Sequence, residues 1–290
     1  MPHFGNERKY GIMKIKYFGT GSSEGIPSMF CKCPVCLEAI RNGGRDIRSR
    51  SQALIDGKIL VDFPPDTFMH IVNGGLDLPG IHTCIVTHSH GDHLYPNDIW
   101  ARKIMVSPVI DDEGVPMKFY ATSVGYEKIN SLITAHKLDA ERRVEAVRIA
   151  AFEPFEAEGY RITPIRADHS PDTDPVLFII EKDGKAIFYG NDTGRLPAET
   201  VEYLKGCGKH FDLVSLDCTN GFGSGDKFHM NFAACVDTKN MLCEFGLCDE
   251  NTVFTLTHFC HSCGGGRAEV EAEAKRLGFI AAYDTMEIEF

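Results

Sequence analysis

The stretch His88-Ser89-His90-Gly91-Asp92-His93, entered directly from the apolar run Ile85-Val86-Thr87, constrains this chain more than any other. It places three imidazoles and a carboxylate in one loop leaving a strand. In an extended chain side chains alternate with period two, so His88 and His90 share a side and can chelate one ion. Asp92 and His93 lie beyond Gly91, where glycine is expected to let the backbone turn, and they can face a second ion. A histidine-rich solvent loop is the bland alternative; four such groups in one run after a strand argue against it.

Three further segments have the same form, a strand-like run ending in a metal-capable side chain. Residues 161–166 lead to Asp168-His169, 186–189 to Asn191-Asp192, and 253–257 to His258. Each is weak alone. Together they matter because functional groups gather on loops held by a rigid scaffold.

Other strand-like runs are expected at 14–18, 53–55, 59–62, 83–87, 118–121, 147–152, 176–181, 213–217 and 287–290. Asp183-Gly184, between two of these runs, predicts a hairpin. Helical patterns are expected at 65–72, 197–205, 232–245 and 267–277, with Gly278 as a stop for the last. Two sheets with helices outside satisfy this order, as do other mixed layer architectures.

At 290 residues the chain can bury a large core, and residues 1–290 are read as a single domain. The formal charge of -11 disfavours broad nucleic-acid binding. No apolar run is long enough for a membrane span, and the first residues do not read as a secretory leader. Eleven cysteines, an odd number, argue against a disulfide framework and for a reducing, cytoplasmic setting. Three of them, Cys31, Cys33 and Cys36, are spaced for one small, soft cation.

The series THSHGDH, ADH, GNDT and THFCH resembles the ligand series of the metallo-β-lactamase superfamily along almost the whole chain. The resemblance implies an α+β fold, the αββα sandwich of two mixed sheets flanked by helices. It implies two divalent metals, Zn, Mn or Fe. His88, His90, His169 and Asp192 would hold one; Asp92, His93, His258 and the bridging Asp192 the other. A hydroxide shared by such a pair would attack a phosphoester.

The early Cys31-Lys32-Cys33-Pro34-Val35-Cys36 and the late His261 are similar to the structural zinc site of PhnP-type phosphodiesterases. That similarity assigns one zinc to Cys31, Cys33, Cys36 and His261, with Cys260 and Cys263 as rivals for the fourth place. It also counts His229 as the acid for the leaving oxygen, and Asp92 with it among the catalytic groups. His3, His70, His82, His136 and His210 lack such context and are expected to be structural or solvated. The implied partner is a small phosphodiester, a cyclic phosphate or a nucleotide, and relatives suggest a homodimer. The alternatives are a transfer-RNA 3′-processing nuclease, a PqqB-type protein of cofactor biosynthesis, and a metal-dependent binding module without turnover. No obvious basic arm for gripping transfer RNA is present in the sequence.

Overall fold

The computed structural model describes residues 11–111 and 114–290. His3 and the leader reading lie outside those residues. The chain first lays down β1 (Lys14–Gly19), β2 (Gln52–Ile55), β3 (Ile59–Val61), β4 (Thr83–Ile85), β5 (Met117–Ala121) and β6 (Val144–Arg148). It then lays down β7 (Phe155–Ala157), β8 (Tyr160–Arg166), β9 (Val176–Lys182), β10 (Lys185–Gly190), β11 (Leu213–Asp217), β12 (Val253–Thr257) and β13 (Ile280–Ala281). A last strand, β14 (Glu287–Glu289), returns to pair antiparallel with β1. The two sheets run β14-β1-β2-β3-β4-β5-β6 and β13-β12-β11-β10-β9-β8-β7.

Period-two alternation explains how the sheets stack. In β9, Val176, Phe178 and Ile180 point into the core between the sheets, while Leu177 and Ile179 point to the outer core. In β10, Ile187 and Tyr189 face inward, Ala186 and Phe188 outward. Strands buried on both faces read as continuous apolar runs, which is why the sequence shows them so plainly. Burying each such side chain stabilises the fold by roughly 1.5–3 kcal/mol.

Helices cover the outer faces. They are α1 (Pro34–Asn42), α2 (Thr67–Gly74), α3 (Ser123–His136), α4 (Ala198–Gly206), α5 (Phe232–Glu244) and α6 (Arg267–Arg276). Leu204, Ala234, Leu242, Val270 and Ala274 from the last three pack on the second sheet; Ile129 and Ile133 of α3 pack on the first. The result is the expected αββα sandwich.

Several sequence expectations shift. The strand expected at 147–152 is β6, Val144–Arg148, set by its parallel pairing Met117↔Val144 with β5. The Asp-Gly hairpin is present: Lys182 pairs with Lys185, and Asp183 and Gly184 both take positive φ. Helix α1 begins with Pro34 at its first turn, inside the cysteine motif, and had no counterpart among the expected helices.

Candidate metal centre

Three parallel neighbours, β10, β11 and β12, end together, with Gly190 opposite Leu216 and Asp217 opposite Thr257. Asp192, Asp217 and His258 therefore emerge side by side at one edge of the second sheet. β8 runs antiparallel to β9, which runs antiparallel to β10, so β8 shares the direction of β10 and delivers His169 to the same edge. β4, in the first sheet, supplies the His88 loop. Thr87 O accepts from Val176 N at 2.9 Å and ties that loop across to the second sheet. Asp192 and His258 sit in left-handed backbone, at φ 57° and 62°, which turns each side chain off its strand.

The donor atoms form two clusters. His88, His90 and His169 offer atoms within 4.8 Å of one another; so do Asp92, His93, Asp192 and His258. Asp192 touches both. Its Oδ2 lies 3.4 Å from His88 Nε2 and 2.9 Å from His93 Nε2, and its Oδ1 lies 2.8 Å from His258 Nε2. The two clusters thus meet at one carboxylate.

Hydrogen bonds on the far side of each ring show what these atoms carry. His93 Nδ1 donates to Asp62 Oδ2 at 2.7 Å, and His169 Nδ1 donates to the Phe228 carbonyl at 3.1 Å. Thr219 gives its hydroxyl proton to the His258 carbonyl, so His258 Nδ1 donates to Thr219 Oγ1 at 2.7 Å. Thr87 likewise donates to Asp62, so His88 Nδ1 donates to Thr87 Oγ1. With one proton on each ring, the Nε2 atoms of all four are then lone pairs aimed at one another. His93 and His258 Nε2 are 3.1 Å apart, and buried Asp192 Oδ1 makes no hydrogen bond. Lone pairs gathered so closely in a buried site repel unless cations lie among them. The donor set fits divalent metals, and the outer bonds orient the rings as ligating histidines require.

The surrounding carboxylates draw positive charge, a proton or a metal ion alike, into the cluster. Burial opposes a charge on His93, yet Asp192, Asp92 and Asp62 outweigh it and hold its pKa well above the usual range. Burial and the neighbouring His93 push His88 well below that range. Burial would raise Asp192, but His258 and His93 hold it well below the carboxylate range. Three carboxylates here pull on whatever positive charge is available.

His229 stands at the edge of this cage. Its ring is 4.9 Å from that of His169 and lies nearly parallel to His258 at 5.5 Å. Its Nδ1 donates to Asp217 Oδ2 at 2.8 Å. Burial lowers its pKa, but Asp217 prevails and raises it to about 9. Asp217 and His229 also group with Asp192 and His258 as a further donor set. A proton already joins the first two, so they form a proton-handling pair.

The cysteine cluster is separate. Cys31, Cys33, Cys36 and His261 place one donor atom each within 4.8 Å of one another. His261 Nδ1 is 3.5 Å from Cys33 Sγ. Backbone amides of Ser28 and Cys33 donate to Cys36 and Cys31 Sγ. Cys260 instead contacts Ser262 Oγ, and Cys263 donates to Gly265 O, so neither rival joins the group.

The structure thus brings together every ligand expected from sequence, and His229 with them. Gly91 behaves otherwise than expected. It is absent from the positive-φ glycines, and a Cβ there would meet nothing. The loop is turned by His93 N and Leu94 N bonding to His90 O, which any residue at 91 permits. Asp62, Asp217, Thr219 and Lys128 were missed; Lys128 Nζ donates to Ser89 O at 2.6 Å and braces the loop. Asp62 and Asp217 carried a usable signal, since each closes an expected strand with an acid, as the ligand segments do. Of the remaining histidines, His70 is buried between Gln52 and Ser49, His82 is half-buried, and His136 and His210 are exposed.

A family model described as the beta-lactamase superfamily domain matches residues 58–259. A curated octanoyltransferase of Porphyromonas gingivalis is 25% identical over 207 residues, covering 67% of this chain; the chain spans only 38% of that protein's length. A diphosphatase structure from the PhnP family is 21% identical with a TM-score of 0.71, covering 97% of this chain and 98% of that one. Zinc-bound PqqB from Methylobacterium extorquens is 17% identical with a TM-score of 0.71, covering 95% and 99%. Human short-form tRNase Z is 17% identical with a TM-score of 0.63, covering 95% and 98%. These structural likenesses are of fold, and they share the two-sheet sandwich described above. With the family model spanning most of its length and the ligand series standing at the strand ends, the chain belongs to the metallo-β-lactamase superfamily.

Proposed function

We propose that this chain is a hydrolase of small phosphodiesters, cyclic or nucleotide-like, that works with two divalent metals, Zn, Mn or Fe. The observation that carries the reading is Asp192, one carboxylate touched by both donor clusters. His88, His90, His169 and Asp192 would hold one cation; Asp92, His93, His258 and Asp192 the other. Cations so paired, when bound, polarise phosphoryl oxygens and supply hydroxide near neutral pH.

The chain's own groups do the rest. Asp62, Thr87, Thr219 and the Phe228 carbonyl fix the ring tautomers, so each ligating nitrogen is presented without reorganisation. Asp217 holds the Nδ1 proton of His229. Nε2 is then the atom that exchanges a proton, and in this reading it gives one to the leaving oxygen. The cysteine cluster would hold a structural zinc and tie the first loop to the last. Gly21 bridges Phe259, next in sequence to His258, and the Cys31 loop follows a few residues on.

The negative net charge supports a small substrate over transfer RNA. All eleven cysteines are free, which supports a reducing cytoplasmic setting. Among the described residues no helix is long and apolar enough to cross a membrane. The octanoyltransferase name belongs to a much longer protein, of which this chain spans 38%.

The test is metal analysis of the purified protein, then a panel of phosphomonoesters, cyclic and linear diesters and diphosphates. Turnover concentrated on diesters is expected. A metal-replete protein inert to all of them, or one turning over monoesters alone, removes the reading.

A further inference from the structure

We infer that Phe228 is a stacking platform for a planar aromatic group carried by the substrate, placed beside the proton donor His229. This rests on the phosphodiester reading and adds the kind of group the diester bears.

Two features of Phe228 need explaining together. The first is its backbone. At φ 66° it occupies the left-handed region, which is costly for a bulky residue and natural for glycine. The segment cannot relax easily. The Phe228 carbonyl accepts from His169 Nδ1, and a Cβ at Gly194 would come within 2.6 Å of Phe228 N and 2.5 Å of Asp226 O, so the two strands of loop are pressed together. The carbonyl serves the metal centre, and glycine would present it with less strain.

The second feature is the ring. It takes part in none of the three buried clusters and is 39% exposed. Its neighbours are the His169 ring, at 6.4 Å between centroids and 89° between planes, and the ammonium of Lys227, 4.9 Å from its centroid. The ammonium covers one π-face, as a cation does over an aromatic ring, and a stacking ligand would take its place. Lys227 is itself exposed, on a flexible stem that a flat ligand can displace. So a strained position at the rim of the site carries a partly exposed aromatic ring that belongs to none of the buried clusters. An aromatic face beside a phosphate-handling centre fits a planar ring attached through that phosphate.

The competing account is that the ring merely shields His169 from water. Titration calorimetry on metal-loaded protein separates the two without breaking a bond. The probes are adenosine 5′-monophosphate, phenyl phosphate and ribose 5-phosphate; the proteins are the wild type, Phe228→Gly and Phe228→Tyr. Stacking predicts that adenosine monophosphate binds the wild type at least about tenfold more tightly than ribose 5-phosphate, the scale of one base on one ring. Phe228→Gly, which suits the left-handed backbone, should lose that margin, and Phe228→Tyr should keep it. If phenyl phosphate shares the gain, the platform takes any planar ring; if it does not, the platform takes a nucleobase.

Equal affinities in the wild type overturn the inference, as does a Phe228→Gly protein that weakens for all three probes alike. Should Phe228→Gly fail to hold metal, Phe228→Leu keeps the bulk, removes the π-face and answers the same question. Absence of diester turnover would remove the phosphodiesterase reading, whereas the expected affinity margin would stand or fall by the calorimetry alone.

Discussion

The molecule gathers metal-capable side chains in two places, and it does so in opposite ways. In the His–Asp cage, His88, His93, Asp192 and His258 are each no more than 2% exposed, and each is delivered by a strand end of one of two sheets. In the cysteine cluster, Cys31 and Cys33 are only partly buried and stand beside Phe30, which is 98% exposed. The cage is preorganised by the sandwich: its rings are held from behind whether or not anything binds in front. The cluster is local, two thiols of one loop and a third, buried Cys36, on the first turn of α1, with a single residue brought from afar. A rigid scaffold can force bare donors together; a loop needs its ion to do so.

That contrast can be broken at four points. The largest effect should come from Asp192→Ala, which removes the carboxylate shared by both halves of the cage. Metal content should fall at both positions and turnover should drop below detection; a loaded, active variant would mean that the clusters are independent. His229→Ala should come next. It leaves the cage intact, so metal content stays, while turnover slows by roughly 10²–10⁴-fold for a lost general acid. Unchanged turnover would take His229 out of the mechanism.

Asp62→Asn tests the support behind the cage. It replaces the carboxylate that accepts from His93 Nδ1. A loss of about 10–100-fold in metal affinity or activity is expected, read by metal titration and steady-state rates. No change in either would show that the sheets alone orient the ring. Cys33→Ser should have the smallest effect on catalysis. It should cost one metal equivalent and expose the loop near Phe30 to limited proteolysis, with turnover reduced less than in Asp62→Asn. Loss of the cage metals in that variant would mean that the cluster, and not the sandwich, holds the centre together.

The same contrast explains what could be read from sequence. His88, His90, Asp92 and His93 lie in one loop, so spacing alone exposes them, and Cys31, Cys33 and Cys36 likewise. His169, Asp192 and His258 are individually ordinary. Their convergence depends on β8, β10 and β12 ending at one edge, a property of topology that only the family resemblance supplied. Asp62 and Asp217 were legible only as acids closing expected strands; which histidine each serves, 31 and 12 positions on, is set by the fold. Short edge strands such as β7 and β13 have too few residues for alternation to show. The register of β6 was set by its partner and not by its own residues.

The pairing of β14 with β1 has a consequence for how the protein is made. Asp284, just before β14, accepts hydrogen bonds from Thr20 N and Oγ1 and from Ser49 N and Oγ, and Thr20 is 264 positions earlier. A ribosome adding about 5–20 residues per second delivers that clasp roughly 15–50 s after β1 emerges. Until then β1 has one unpaired edge, and the loop after it is held without that clasp, by its backbone bonds to Arg48 and Ser49. A chain stalled before Asp284 should therefore be cut by protease around β1 more readily than the full-length chain.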